Sequence, residues 1–328
     1  MGFEVGGGGG LRRARASGGD AEAFCRLSNA LYARPVNEAY YEWQFFGSPF
    51  PSLLASRWSE RAVLDGCYGY HVREAQSGER VAWAIDIMIA RELQGKGLFR
   101  PLSDFAREQA VREGAVGFVV MANERADRAH VMALAWKRIA VLETCVCQTT
   151  QASPRDRQDL EFDRIDDFEG LRPFLASLGP VLGTDGEPLI SMCRGAAYLN
   201  WRFVRNPRYS YDLFSVRRRG EIFGYVVLKV FRDPVTGRVF GDIVDLRWVE
   251  DDRGALADML RYALEHFRIQ GVERAAIWLQ TNTVLDRVGL EAGFSFSGQR
   301  RFFCGSALDT RLTDPRRWVL TLADSEVY

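Results

Sequence analysis

Ala39-Tyr40-Tyr41-Glu42-Trp43-Gln44-Phe45-Phe46-Gly47-Ser48-Pro49 aligns without gaps to Ala197-Tyr198-Leu199-Asn200-Trp201-Arg202-Phe203-Val204-Arg205-Asn206-Pro207, keeping Ala, Tyr, Trp, Phe and Pro. The offset is 201 − 43 = 158 residues. Similar spacings recur from Asp86 to Asp245 (159), from Asn123 to Asn282 (159) and from Trp136 to Phe294 (158). Agreement at four separate places marks an internal repeat. At 328 residues, each unit is large enough to bury its own core.

Hydrophobic periodicity gives both repeats the same order of elements. In the first, helices over residues 20–33 and 37–46 precede strands over 52–58, 62–73 and 80–90. A helix over 98–113 follows, with Leu98, Leu102, Phe105, Ala106 and Ala110 on one face. A strand over 116–121, a helix over 125–134 and a strand over 138–148 complete the unit. The second repeat has helices over 168–178 and 196–204, strands over 211–217, 221–231 and 240–249, a helix over 255–270, and a strand, helix and strand to residue 304. Such a mixture, with hairpin signals at Ser77-Gly78 and Pro234-Gly237, predicts a mixed α/β (α+β) fold in tandem. The expected organisation is a disordered Gly-rich tail over 1–18, a first domain over 19–149, a linker over 150–157 containing Pro154, and a second domain over 158–328.

Composition narrows the function. Forty-three basic side chains balance 43 acidic ones, so no net field recruits nucleic acid or an anionic membrane. No run of about 18 apolar residues is present, and no signal-peptide core follows Met1, so a cytoplasmic chain is expected. The six cysteines show no Cys-x-x-Cys spacing and the three histidines are scattered, which argues against a metal. Cys145 and Cys147 share one face of a strand and read as reduced core thiols.

The chemistry is expected where the apolar strand ending at Ala90 meets Arg91-Glu92-Leu93-Gln94-Gly95-Lys96-Gly97-Leu98-Phe99 and then a strong helix. A Gly-rich turn lets several amides converge on one anion, and the helix adds unpaired N–H donors and partial positive charge. Lys96 adds a formal charge.

This arrangement resembles the coenzyme A signature of the GNAT superfamily, Gln/Arg-x-x-Gly-x-Gly/Ala. It is carried here by Gln94-Gly95-Lys96-Gly97-Leu98-Phe99, with Phe99 departing from the usual small final residue. The order of elements extends the resemblance to both halves. It implies that the strand before the loop splays from the strand over 116–121, and that pantetheine inserts between them. Ile87, Met88 and Ile89 would offer it backbone groups, and the amides from Gln94 to Phe99 would hold the pyrophosphate. Asn123 is similar to the polar residue that contacts pantetheine in this family; a helix N-cap is its other reading. The implied donor is acetyl-CoA or another acyl-CoA, used by an N-acyltransferase. A small-molecule amine is the expected partner, and a homodimer is left open.

The corresponding loop of the second repeat, Arg253-Gly254-Ala255-Leu256, lacks the Lys and the second Gly, and Asp251 and Asp252 precede it. That site is expected to be empty of cofactor. For catalysis, Asp86 stands inside the apolar run from Ala84 to Ile89, where burial would raise its pKa toward that of a useful general base, although Asp245 repeats it in the unit expected to be inactive. GNAT enzymes often protonate the thiolate with a Tyr on the following helix. No Tyr lies between Arg125 and Trp136, so His130 is the nearest titratable replacement, with an exposed helix His as the alternative. The Tyr-x-x-Trp-x-Phe helix is similar to GNAT-like proteins of polysaccharide and specialised-metabolite synthesis, which makes an amino sugar one expected acceptor. An inactive binding protein and an aminoacyl-tRNA-dependent Fem-type transferase are the alternatives.

Overall fold

The protein is described from a computed structural model covering residues 10–16, 19–151, 159–234, 236–249, 252–280, 283–307 and 310–325. Two compact units emerge, each discontinuous in sequence. The first comprises Met1–Ile139, Arg205–Arg208 and Phe303–Thr313; the second comprises Ala140–Val204, Tyr209–Phe302 and Asp314–Tyr328. Against the domain expected over 19–149, the first unit keeps the last strand only to Ile139 and takes in two segments from the far half of the chain. Most of the expected linker, including Pro154, lies outside the described residues.

The first unit contains β1 (Leu11–Arg13), α1 (Asp20–Leu31), α2 (Glu38–Phe45), β2 (Ser52–Trp58), β3 (Leu64–Glu74), β4 (Arg80–Ile89), α3 (Phe99–Arg112), β5 (Gly117–Ala122) and α4 (Glu124–Leu134). Its sheet runs β1-β2-β3-β4-β5, then the end of the last strand, β12 (Ser295–Ala307). The tail expected to be disordered over 1–18 is ordered at β1, which pairs antiparallel with β2. The reason lies in its charges: Arg12 bridges to Asp20 at 2.7 Å and stacks 4.5 Å over the Trp58 ring, anchoring the strand.

α1 buries Phe24 and Leu27, and α3 buries Leu102, Ala106 and Ala110, as an apolar stripe of period 3.6 requires. The repeated aromatic helix α2 is capped by Asn37, whose side chain accepts from the Tyr40 amide. It buries Tyr40, Tyr41, Trp43 and Phe45, so the aromatic cluster is core packing.

The second unit contains β6 (Lys137–Gln148), β7 (Leu160–Arg164), α5 (Arg172–Ser177), α6 (Ala196–Leu199) continued by a π turn, β8 (Asp212–Arg218), β9 (Glu221–Arg232), β10 (Val239–Trp248), α7 (Arg253–Ile269), β11 (Arg274–Trp278), α8 (Val284–Glu291) and the start of β12. Its sheet order is β12-β6-β11-β10-β9-β8-β7. β6 pairs with β11, which places Cys145 and Cys147 as free, buried thiols in that core. Among the described residues no helix is long and apolar enough to cross a membrane, and no cluster of three potential metal ligands occurs.

Candidate active site

β4 and β5 run parallel and pair only from Val81↔Gly117 to Ala84↔Val120. Beyond that point β4 continues to Ile89 and β5 to Ala122, so the two strands part as a wedge. The parting coincides with a β-bulge. Against β3 the register steps from Gly69↔Ile85 to Cys67↔Met88, setting Asp86 and Ile87 opposite Tyr68. Asp86 takes a left-handed φ of 44°, a conformation that costs a non-Gly residue about 1–2 kcal/mol and that Asp tolerates better than most. A cleft of about 620 Å³ opens in the wedge. Ile87, Met88 and Ile89 form one wall, Asn123 and His130 the other, and Gln94, Gly95 and Phe99 one end.

At that end the chain makes a short 3-10 turn over Arg91–Leu93 and then a turn in which Gly95 and Gly97 have φ of 77° and 82°. A Cβ at either position would meet nothing within 4 Å, so the backbone angle, and not lack of space, calls for Gly. Among the described residues, the amides of Gly95, Gly97 and Leu98 have no intramolecular acceptor. Those of Gln94 and Lys96 are spent inside the turn, on Arg91 O and Leu93 O at 3.3 Å each, which corrects the expectation that every amide from Gln94 to Phe99 is available. α3 starts with no side-chain cap and no acidic residue in its first turn. Its N-terminal donors thus face the same space as the free loop amides and can take up an anion. Lys96 is exposed beside them.

Two of the strand carbonyls expected to meet pantetheine are already in use. Ile87 O accepts from the Tyr32 hydroxyl at 3.3 Å, and Ile89 O from Gln94 Nε2 at 2.9 Å. Gln94 Oε1 in turn accepts from Arg125. Sequence reasoning missed both Tyr32 and Arg125; Arg125 had a usable signal, standing in the first turn of the helix after the splayed strand. Asn123 caps α4 by accepting from the Ala126 amide at 2.9 Å, its other expected role. Phe99, the departure from the small residue of the signature, packs its ring 5.2 Å from His130 and 5.8 Å from Tyr68.

Asp86 is half-buried. Tyr40 OH donates to both its oxygens at 3.2 Å and Gln44 Nε2 donates to one at 3.1 Å. Loss of hydration on burial pushes its carboxyl up to about 6, against the opposing pull of Tyr40, Gln44 and the nearby Arg208 guanidinium. It is ionised at neutral pH yet far more basic than an exposed aspartate.

His130 is fully buried, which corrects the exposed-helix alternative. Nδ1 lies 2.6 Å from Ala126 O, and a carbonyl only accepts, so the ring proton is on Nδ1. Nε2 is left to accept from Tyr68 OH at 2.7 Å. Desolvation holds the ring down to about 4, so at neutral pH it is uncharged and its single proton is committed to a helix carbonyl. This geometry does not suit the acid role expected of His130. It does couple stability to pH. Above the ordinary value of 6.5 both folded and unfolded rings are neutral; as pH falls from 6.5 toward 4 the unfolded chain binds a proton that the fold refuses. Stability is lost over that window, by up to about 3 kcal/mol. Thermal melts should therefore fall less steeply there for His130→Gln than for wild type; parallel slopes would contradict the neutral buried ring.

No protein-family model matches the chain, and no curated protein matches it in sequence. Solved structures do match. A GCN5-related N-acetyltransferase from Anabaena variabilis superposes with a TM-score of 0.64 at 10% identity, over 92% of this chain and 73% of its own. The chain has the GNAT fold. A probable N-acyltransferase from Enterococcus faecalis superposes with a TM-score of 0.63 at 8% identity over the same shares. The glucosamine N-acetyltransferase region of a fungal multi-domain β-N-acetylglucosaminidase superposes with a TM-score of 0.59 at 13% identity, over 90% of this chain and 38% of its own.

The second unit repeats the GNAT wedge and closes it. β10 and β11 pair only from Phe240↔Arg274 to Asp242↔Ala276, and a register shift against β9 falls between Ile243 and Asp245. The chain's own segment from Trp318 to Asp324 occupies the gap. Leu320 N donates to Gln280 Oε1 at 3.1 Å and Thr321 Oγ1 to Asp245 Oδ1 at 2.8 Å. Arg194 clamps Asp245 at 3.1 Å and Asp324 at 2.7 Å. Only about 50 Å³ of cavity is left.

The glycine turn is also gone, because α7 begins at Arg253 and contains Gly254. Asp252 caps that helix by accepting from the Ala255 amide at 3.0 Å, and pairs with Arg218 at 2.7 Å. The helix end is thus satisfied internally; Asp251, Asn282 and their expected parts lie outside the described residues.

Proposed function

We propose that the chain is an N-acyltransferase that takes an acyl group, with acetyl the expected one, from coenzyme A and passes it to the amine of a small molecule or amino sugar. The observation that carries this reading is the conjunction, in one GNAT unit, of an open wedge ending at a bulge and a loop whose free amides adjoin an uncapped helix N-terminus. Pyrophosphate would lie on Gly95, Gly97 and Leu98, with Lys96 alongside. Ile87, Met88, Ile89 and Asn123 would flank the pantetheine arm once Tyr32 and Gln94 swing aside.

In the transfer, Asp86 takes a proton from the acceptor ammonium, the amine attacks the thioester carbonyl, the nitrogen of the tetrahedral adduct gives its second proton to water, and the C–S bond breaks to release the thiolate. The proton for that thiolate comes from water or from Tyr32, whose hydroxyl reaches the Ile87 carbonyl on the cleft wall. It does not come from His130.

Thiol release from acetyl-CoA, screened against a panel of amines including glucosamine, tests the reading. Absence of acetyl-CoA binding at millimolar ligand would end it. Binding without thiol release from any amine would favour a catalytically silent binding protein, the reading that the committed His130 proton supports. Because the second wedge is filled by Trp318 to Asp324, calorimetry should return one acetyl-CoA per chain. A stoichiometry of two would mean that the segment gives way to ligand.

A further inference from the structure

Each unit sets an aspartate beside its bulge, a tyrosine on its aromatic helix, and an arginine over that tyrosine's ring. In the second unit these are Asp245, Tyr198 and Arg194, with Arg194 Cζ 5.2 Å from the ring centroid. In the first they are Asp86, Tyr40 and Arg208, at 5.0 Å. The difference lies in where the cation comes from. Counting back 158 residues from Arg194 gives Val36, so the first repeat has no arginine of its own at that place. Arg208 reaches the first unit instead, on the segment Arg205–Arg208 that follows the second aromatic helix and packs with the first unit.

The two arrangements also differ in closure. Arg194 binds Asp245 directly and shares it with Thr321 and Tyr225, the latter at 2.9 Å. That carboxylate is wholly buried and fixed. Asp86 stays half-buried, with Tyr40 and Gln44 donating to it.

We propose that Arg208 is a positioning residue for Asp86: it holds the Tyr40 ring so that its hydroxyl spans both carboxylate oxygens, and it supplies the counter-charge that keeps the carboxylate ready to receive a proton. This rests on the reading of Asp86 as the base. Among the groups facing Asp86 are Tyr40 and Gln44 from α2, the Cys67 thiol from β3, which donates to the Asp86 carbonyl at 3.3 Å, and Arg208. Arg208 brings a positive charge to that set. Its removal takes a positive charge away from a desolvated carboxylate, which favours the protonated form.

The test needs no acceptor. In full-length protein labelled with ¹³C-carboxyl aspartate, the Asp86 resonance is assigned by its loss in Asp86→Asn, and its pH midpoint is followed in Arg208→Gln, Arg208→Glu and Arg208→Lys. Wild type should titrate near 6. The Gln variant should rise by about one unit and the Glu variant further, with Lys staying nearest wild type. Acetyl-CoA affinity should stay within about twofold throughout, since the loop at Gly95 to Leu98 is untouched. The charge series remains readable if any two variants fold. Midpoints that do not follow the charge at position 208 overturn the inference. Because the readout is the carboxyl itself, failure to find an acceptor amine is a separate result that bears on the acyltransferase reading.

Discussion

Gly97→Glu should abolish acetyl-CoA binding, lowering affinity in calorimetry by at least about a hundredfold, while the melting curve barely moves. Two physical terms add. A φ of 82° costs any side chain about 1–2 kcal/mol if the turn is kept. A carboxylate set into an anion cradle repels pyrophosphate by about 4 kcal/mol per charge pair at 4 Å in a surface-like dielectric. The second term alone exceeds the ~2.7 kcal/mol that a hundredfold loss requires. The fold is spared because this exposed turn, with nothing within 4 Å of an added Cβ, can relax in the free protein, so the cost of the left-handed φ falls on the bound form. Gly97→Ala, which keeps only the backbone term, should lose about tenfold. Undiminished affinity in Gly97→Glu would mean the phosphate site lies elsewhere.

For Asp86→Asn, kcat at saturating substrates should fall about 10²- to 10⁴-fold with acetyl-CoA affinity retained, the usual worth of a positioned base. The pH dependence gives the sharper signature. A base must be deprotonated to act, so wild-type kcat should rise with pH through a midpoint near 6 and level off above it. In the variant that limb should vanish. Some stability should go as well, because Tyr40 and Gln44 both present donors, and the amide nitrogen of Asn answers a donor with another donor. Unchanged turnover would remove Asp86 as the base.

Much of the fold was legible because the evidence for it is periodic and duplicated. The aromatic helix, the glycine turn and the order of elements each appear as local patterns. The bulge at Asp86 was legible only as an anomaly, a carboxylate in an apolar run; its φ of 44° has no sequence signature. His130 was misjudged because helical position predicts exposure only when the neighbours are known. Phe99 of α3, Tyr68 of β3 and Trp136 in the turn after α4 surround its ring. Arg208 and the filling of the second wedge were invisible for a related reason. Both depend on segments remote in sequence, Arg205–Arg208 on Tyr40 and Thr321 on Asp245, and no periodicity reports a contact of that range.

The segment Phe303–Thr313 belongs to the first unit although it is made 303 − 122 = 181 residues after the end of β5. Phe303 stacks on Trp83 at 5.6 Å, Cys304 donates to Asp127 at 3.0 Å, and a Cβ on Gly305 would strike Phe118 O at 2.9 Å, so the fit is close. A nascent chain emerging at about 5–20 residues per second therefore leaves β5 without its outer neighbour for about 9–36 s after β5 itself is made. During that time the first unit presents an open sheet edge to the ribosome's surroundings, a natural window for chaperone engagement and for pairing between chains on one messenger. Slow or stalled translation between β5 and Phe303 should thus harm the first unit, although most of its own codons lie upstream.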